Sequence, residues 1–206
     1  MSSYKASAET VDFDEEGRRV LGLLNIDPSQ RTVSQYNPLD SIFVHPTGKG
    51  TVYVGNATAA ENIGILKSNN ITHIVNCTHG GSAIPCYHKH GGEIKYYTFP
   101  ISEWWKHINA TNSSVYVFTD PLFEWIENCI SKGESVLVHC LAGAHRAGTT
   151  GCAILMKYAN LDVRTAIATA KKLRPIIDPI GQLPQFLQRL EMAQAARKAE
   201  KPPMVV

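Results

Sequence analysis

The segment Val138 to Thr150 reads VHCLAGAHRAGTT and holds one cysteine, two histidines, one arginine and two glycines within thirteen residues. Cys140 and Arg146 are separated by five residues, with Gly143 between them and Gly148 just beyond. A free thiol has a pKa near ~8.5, and a helix N-terminus or a cationic neighbour lowers it enough to give a thiolate nucleophile at neutral pH. The planar fork of an arginine can offer two parallel hydrogen bonds to phosphate oxygens, which a lysine point charge cannot. Leu141, Ala142 and Ala144 are uncharged, so backbone amides and Arg146 are left to hold an anion, and glycine lets the backbone turn tightly around it. The chemistry open to this set is attack by sulfur on a bound phosphoryl group. A cysteine after an apolar strand is also, most often, a small buried hydrophobe. A zinc reading finds no second close ligand pair beside His139, Cys140 and His145.

Those side chains need a strand before them and a helix after them. SVLVHC is a short apolar strand and TTGCAILMKYANL has helical spacing, which places the loop where a strand ends and a helix begins, the usual ligand position in α/β sheets. Upstream, SIFVH and TVYVG flank a Pro-Thr-Gly-Lys-Gly turn and predict a hairpin. ATAAENIGILKSNN predicts one helix ending at Asn69-Asn70, ITHIVNCT a buried strand, and IKYYTFPI another strand followed by a polar loop through NATNSS. Asp120 and Pro121 read as the N-cap and first residue of a helix over PLFEWIENCISKG. DVRTAIATAKKLRP and GQLPQFLQRLEMAQAARKAE add two more helices. Strands alternating with helices predict an α/β fold with a central, mostly parallel sheet flanked by helices. Residues 37–195 form this domain. Residues 1–36 are an N-terminal extension whose Val20, Leu21, Leu23 and Leu24 predict a short helix packing on the domain, set apart by turns at Pro28 and Asn37-Pro38. Residues 196–206 are a flexible C-terminal tail.

Composition narrows the function classes. The 206 residues suit one core, and 44% hydrophobic with 18% charged residues fits a soluble globular chain. A net charge of +2 without a dense basic block gives no nucleic-acid partner. No apolar run is long enough to span a bilayer and no secretory signal is evident, so no membrane partner is expected and the location is cytoplasmic, with the nucleus also open. The five cysteines, Cys77, Cys86, Cys129, Cys140 and Cys152, are odd in number and irregularly spaced, which reads as reduced thiols. CTHGGSAIPCYHKH gathers Cys77, His79, Cys86, His88 and His90 but matches no closed zinc pattern, and a polar surface loop is preferred. Trp104-Trp105 could form a sugar-stacking platform, with packing around the neighbouring loop the better account.

Taken together, VLVHCLAGAHRAGT resembles the His-Cys-x5-Arg phosphate-binding signature of the cysteine-based protein phosphatases. VYVGNATAAENIGILKSNNITHIVNCT, YYTFPISEWW and LRPIIDPIGQLPQFLQRLE are similar to the opening strands and helix, the acid-bearing segment and the closing helices of the dual-specificity branch. The likeness covers about residues 40 to 193. It implies the protein-tyrosine-phosphatase-like fold of the atypical branch without a kinase-docking domain, no cofactor and no metal. It also implies a phosphorylated protein as substrate and hydrolysis of phosphotyrosine, and of phosphoserine or phosphothreonine, through a phosphocysteine. Carried over by position, Cys140 is the nucleophile, Arg146 binds the phosphoryl group, and His139 supports the thiolate. The amides of Leu141, Ala142, Gly143, Ala144, His145 and Arg146 form the cradle. Glu103 stands where the family has its aspartate acid, and Asp120 is the alternative acid. Cys77 is a candidate redox partner of Cys140. Ala147 replaces a serine or threonine that assists the departing thiolate, with Thr149 or Thr150 as stand-ins, and His145 either helps bind a dianion or faces solvent. A catalytically weak phosphate-recognition module is the rival reading.

Overall fold

A computed structural model describes residues 11–24, 37–78 and 84–200. In chain order the elements are α1 (Phe13–Leu23), β1 (Leu39–Val44), β2 (Thr51–Gly55), α2 (Ala57–Glu61), α3 (Ile63–Ser68), β3 (Ile71–Asn76) and β4 (Lys95–Thr98). A 3₁₀ helix (Ile101–Lys106) follows, then α4 (Asn112–Ile130), β5 (Ser135–His139), α5 (Arg146–Tyr158), α6 (Val163–Leu173) and α7 (Leu183–Glu200). The strands form one sheet in the order β1-β2-β5-β3-β4. β1 and β2 make an antiparallel hairpin, and every other pairing is parallel.

β5 comes last in sequence but lies in the middle of the sheet, and all five of its residues are buried. That position requires a strand apolar on both faces, which SVLVH supplies. The period-two alternation of strand side chains then divides the core. Val136 and Val138 join Val52, Val54 and Val75 in a large cluster with Ile126, Ile154, Phe186 and Leu187 of α4, α5 and α7. Leu137 and Ile74 face the other way, onto Ala59, Ala60 and Leu66 of α2 and α3. The sheet is therefore covered by helices on both faces, and the carboxyl end of its central strand opens into the Cys140 loop.

Several elements differ from the sequence expectation. The helix expected over ATAAENIGILKSNN is two helices, because the Asn62 side chain accepts from the Gly64 and Ile65 amides and starts α3 anew. Asn70, with φ of 52°, then ends it in the left-handed region. Asp120 and Pro121 do not open a helix. α4 begins at Asn112, capped by Thr111, and Pro121 lies inside it. The apolar stripe Val115, Leu122, Ile126 and Ile130 buries fully against the core and carries the helix through the proline. The amide bond that Pro121 forfeits is on an exposed face, since Val117, four residues back, is 77% exposed. α7 runs past residue 196 to Glu200, so the expected tail begins inside a helix; residues 201–206 lie outside the described residues. α1 meets the Cys140 loop through Gly17 and Leu21, spaced one turn apart, while Leu23 is 73% exposed. The Pro28 turn lies outside the described residues.

Candidate active site

The loop after β5 is held from outside by its carbonyls. Leu141 O accepts from the Ala57 amide at 3.0 Å, Ala144 O from the Asp178 amide at 3.1 Å, and His145 O from the Thr149 amide at 2.8 Å. Arg174 Nη2 donates to Ala142 O at 3.3 Å and Arg174 Nε to Gly143 O at 3.1 Å. The Thr150 hydroxyl donates to Arg146 O at 3.0 Å. Every carbonyl from Leu141 to Arg146 is thus engaged by the surrounding fold. In a trans peptide the next residue's N–H points the opposite way from the carbonyl. The amides of Ala142 to Ala147 therefore face away from these anchors, the orientation an anion-binding concavity needs; of the cradle expected over Leu141 to Arg146, the Leu141 amide is not oriented by these bonds. α5 begins at Arg146 and adds the positive end of its dipole.

Gly143 is required here twice over. Its φ is +71°, and a Cβ at this position would stand 2.4 Å from Gly55 O. The loop is folded flat against the end of β2, with Arg174 as its brace. Arg174 is 1% exposed, and besides its two loop carbonyls it donates from Nη1 to Asn37 O at 3.1 Å and to Asp40 Oδ2 at 2.5 Å. A buried cation is tolerated because a carboxylate and three carbonyls surround it.

The side chains inside the loop are nearly closed off. Cys140 is 3% exposed and Arg146 4%. Arg146 Nε is buried without a hydrogen-bond partner among the described residues, so half of its fork remains for an incoming oxygen. His139 is fully buried and neither ring nitrogen is hydrogen-bonded among the described residues. Burial pushes its pKa down to about 4, the Cys140 backbone opposing this and the Arg146 charge adding to it. Its imidazole is neutral at physiological pH. His145 does not face solvent: it is 3% exposed, and its Nδ1–H donates to Asp178 O at 2.6 Å. That bond ties the loop to the 176–181 turn.

Thr149 and Thr150 do not present their hydroxyls to Cys140. Both donate to carbonyls four residues back, to His145 O at 2.7 Å and Arg146 O at 3.0 Å. Thr150 also meets the Cys77 thiol at 3.4 Å. Cys77 lies in the core at the end of β3; burial raises its pKa to about 12 and the Thr150 hydroxyl draws it back in part. As a resting-state thiol it is protonated.

The two carboxylates considered as acids lie apart. Glu103 is on the 3₁₀ helix after β4, where Lys106 Nζ donates to its Oε1 at 2.6 Å. That helix is pinned by Trp104, whose Nε1–H donates to Gln182 O at 3.0 Å and whose ring meets Phe186 at 6.1 Å. Trp104 and Trp105 are set at 84° to each other and form no flat platform. Asp120 is on the α4–α7 side, gripped by Arg197 through Nη1–Oδ1 at 3.1 Å and Nη2–Oδ2 at 2.6 Å, with the guanidinium 3.5 Å over the Tyr116 ring. In the Cys/His segment, Cys86 lies beside the Asn76 amide and His88 Nε2 meets Glu61 O at 3.0 Å, so these two are not gathered on one ion; His79 lies outside the described residues. A different trio, His73, Cys129 and Glu134, groups at the amino ends of β3 and β5, with the Thr72 hydroxyl among them.

One contact has no counterpart in the sequence reading. Asp14 of α1 accepts a hydrogen bond from Arg146 Nη2, and the Phe13 ring centroid lies 5.8 Å from the Arg146 guanidinium carbon. Residues 132 apart are brought together, and no local pattern marks either of them for the other.

Comparison with known proteins decides the family. The dual specificity phosphatase catalytic domain matches residues 52–192. The chain belongs to the dual-specificity phosphatase family. It is 32% identical over 152 residues to dual specificity protein phosphatase Mpk3 of Drosophila melanogaster, covering 72% of this chain and 35% of that protein. It is 30% identical over 140 residues to dual specificity protein phosphatase 1 of Arabidopsis thaliana, covering 68% and 65%. The chain spans about a third of the length of the first of these. Among solved structures, a mouse putative dual specificity phosphatase complexed with zinc tungstate aligns with TM-score 0.56 at 22% identity, covering 82% of this chain and 97% of that one. Human DUSP28 aligns with TM-score 0.55 at 21% identity, covering 77% and 96%. As a dual-specificity phosphatase domain the chain carries Glu103 and Ala147 where the family resemblance predicts aspartate and a hydroxyl residue. Three residues that shape this site, Arg174, Asp40 and Asp14, were missed in the sequence. A charged residue near a helix end is ordinarily solvated, and only the fold shows that Arg174 is buried.

Proposed function

We propose that this chain hydrolyses phosphate monoesters on phosphorylated proteins through a phosphocysteine on Cys140. The observation that carries the proposal is the loop whose carbonyls are all engaged outward, with the Cys140 thiol and the unpartnered Arg146 Nε enclosed within it. In the first step the Cys140 thiolate attacks phosphorus and the bond to the ester oxygen breaks. The loop amides and Arg146 stabilise charge on the three equatorial oxygens, and Glu103 gives its proton to the leaving oxygen. In the second step water attacks phosphorus, its proton passes to Glu103, and the thiolate departs, releasing inorganic phosphate. Buried and neutral, His139 beside Cys140 in the chain brings no competing cation to the thiolate. Free thiols throughout the described cysteines fit a reducing compartment, the cytoplasm or nucleus.

Glu103 carries one methylene more than aspartate, and acid catalysis depends on reach. Phenolic leaving groups depend little on an acid, whereas alkyl ones depend on it heavily, so phosphotyrosine is the favoured substrate. Kinetics of Glu103→Gln and Asp120→Asn on an aryl phosphate and on a phosphoserine peptide test the assignment. Glu103→Gln is expected to depress the phosphoserine rate far more than the aryl rate, with Asp120→Asn close to the parent. The opposite pattern would move the acid to Asp120.

A phosphate-recognition module is favoured by one observation: Ala147 has no hydroxyl, and those of Thr149 and Thr150 are committed to helix carbonyls. That reading wins if aryl phosphate is not hydrolysed while a phosphopeptide binds and Arg146→Ala abolishes the binding.

A further inference from the structure

We propose that α1 is a tethered competitor of the substrate, with Asp14 occupying part of the phosphoryl site on Arg146 and the helix covering the rim of the loop. The proposal rests on the reading of this loop as the phosphoryl site.

Contacts from four residues of α1, and from Val11 just before it, place the helix there. The Asp12 side chain accepts from the Asp14 amide at 2.9 Å and the Glu15 amide at 3.0 Å, which starts the helix and fixes the direction of Asp14. Asp14 Oδ1 then takes Arg146 Nη2, a partner that a phosphoryl oxygen would need, while Phe13 lies over the same guanidinium. One turn further on, Gly17 is pressed so close to the loop that a Cβ there would stand 3.1 Å from Leu141 Cδ2. Leu21, 3% exposed, closes the contact in an apolar cluster with Ala142 and Ala144, which Leu141 and Ile176 border. Before the helix, Val11 lies against the 176–181 turn, since a Cβ on Gly181 would stand 2.7 Å from Val11 Cγ2. These contacts follow the phosphate loop and the turn bound to it through His145 and Asp178.

The chemistry is that of an imperfect mimic. A carboxylate offers two oxygens and one negative charge, and it engages Nη2 while Nε remains without a partner. A phosphoryl dianion offers three oxygens and more charge, and can engage both arms of the fork together with the inward amides. Asp14 is the weaker ligand, but its tether keeps its local concentration high, so substrate binds only the fraction of molecules whose helix has left, and apparent affinity falls by that fraction. Asp14 takes one N–H of Arg146 Nη2, and its carboxylate would stand beside and repel a phosphoryl dianion held by the same guanidinium. The site is thereby set to favour well-charged phosphoryl groups over weak anions such as carboxylates.

The test uses the full chain and does not depend on turnover. Tungstate, a tetrahedral dianion, is titrated by calorimetry into the parent, Asp14→Ala, Asp14→Asn, Gly17→Leu and Glu15→Ala. The rate of Cys140 alkylation by neutral iodoacetamide is followed in parallel by peptide mapping. Losing one charge-assisted hydrogen bond that only the covered state makes corresponds to about tenfold. Asp14→Ala and Asp14→Asn are therefore expected to tighten tungstate binding about tenfold and to speed alkylation. Gly17→Leu, which crowds Leu141, should do the same without touching Arg146, and Glu15→Ala should match the parent. Tungstate binding unchanged or weakened in the Asp14 variants overturns the proposal, because Asp14 would then be holding Arg146 in place. Tungstate binding to none of the proteins overturns both this proposal and the phosphoryl-site reading. Tightened binding without aryl phosphate hydrolysis upholds the competitor and removes only the enzyme.

Discussion

Replacing Arg174 with methionine removes the brace of the Cys140 loop while leaving every residue inside the loop unchanged. Its magnitude follows from what the guanidinium holds. Stranding one partner of a buried ion pair costs about 3–5 kcal/mol. Asp40 keeps 21% of its side chain exposed, so water takes up part of that charge. The lower end, about 3 kcal/mol, applies to the pair. The carbonyls of Ala142 and Gly143 lose a buried donor as well, which adds about 1 kcal/mol or more. A loss of about 4 kcal/mol is a large part of the total stability of a typical domain, about 5–15 kcal/mol. The assay is urea unfolding followed by tryptophan fluorescence, with the midpoint shift converted at constant slope. Arg174→Lys keeps the charge with fewer donors and should fall between methionine and the parent, which preserves the test if Arg174→Met does not fold. The double variant with Asp40→Asn should show a coupling above about 1 kcal/mol. Tungstate affinity should fall with stability, because amides aimed inward by outward-held carbonyls lose their aim. A loss below about 1 kcal/mol with tungstate binding intact would refute the bracing argument.

Gly143→Ala should cost about 2 kcal/mol or more and abolish tungstate binding, since alanine meets both the left-handed backbone and the Gly55 carbonyl; thermal unfolding and calorimetry check this. Acid should destabilise the fold through His139. Its pKa is depressed from 6.5 unfolded to about 4 folded, so the unfolded state binds the extra proton and stability is lost as pH falls from about 6.5 toward 4. The loss approaches about 3 kcal/mol, and His139→Gln should flatten that part of a melting-temperature profile. Arg197→Ala should cost about 1 kcal/mol or less, because the pair with Asp120 is about one third exposed, and should leave aryl phosphate turnover unchanged.

What was legible in the sequence and what was not have physical causes. The central strand was readable because a strand buried on both faces must be a continuous apolar run, and SVLVH is one. Cys140, Gly143 and Arg146 could be singled out because the chemistry proposed for them depends on spacing within one loop, and local spacing survives in a sequence. Asp120 was misplaced because Asp-Pro is a strong local start signal, whereas the burial of Val115 and Leu122 on one helical stripe is a tertiary effect that overrides it. His145 could not be settled, because its partner is a backbone carbonyl 33 residues away. Arg174 with Asp40, and Asp14 with Arg146, are pairs between distant segments, set by the sheet order and by where α1 lands.

The most direct test of the account is rapid-quench turnover of an aryl phosphate by the full chain, with intact-mass and peptide analysis of the acid-quenched protein. The account predicts a burst of phenol ahead of steady state and one phosphoryl adduct mapping to Cys140, accumulating because Ala147 leaves the departing thiolate without a hydroxyl, and absent in Cys140→Ser. Turnover that persists in Cys140→Ser, or an adduct on any other residue, would contradict it.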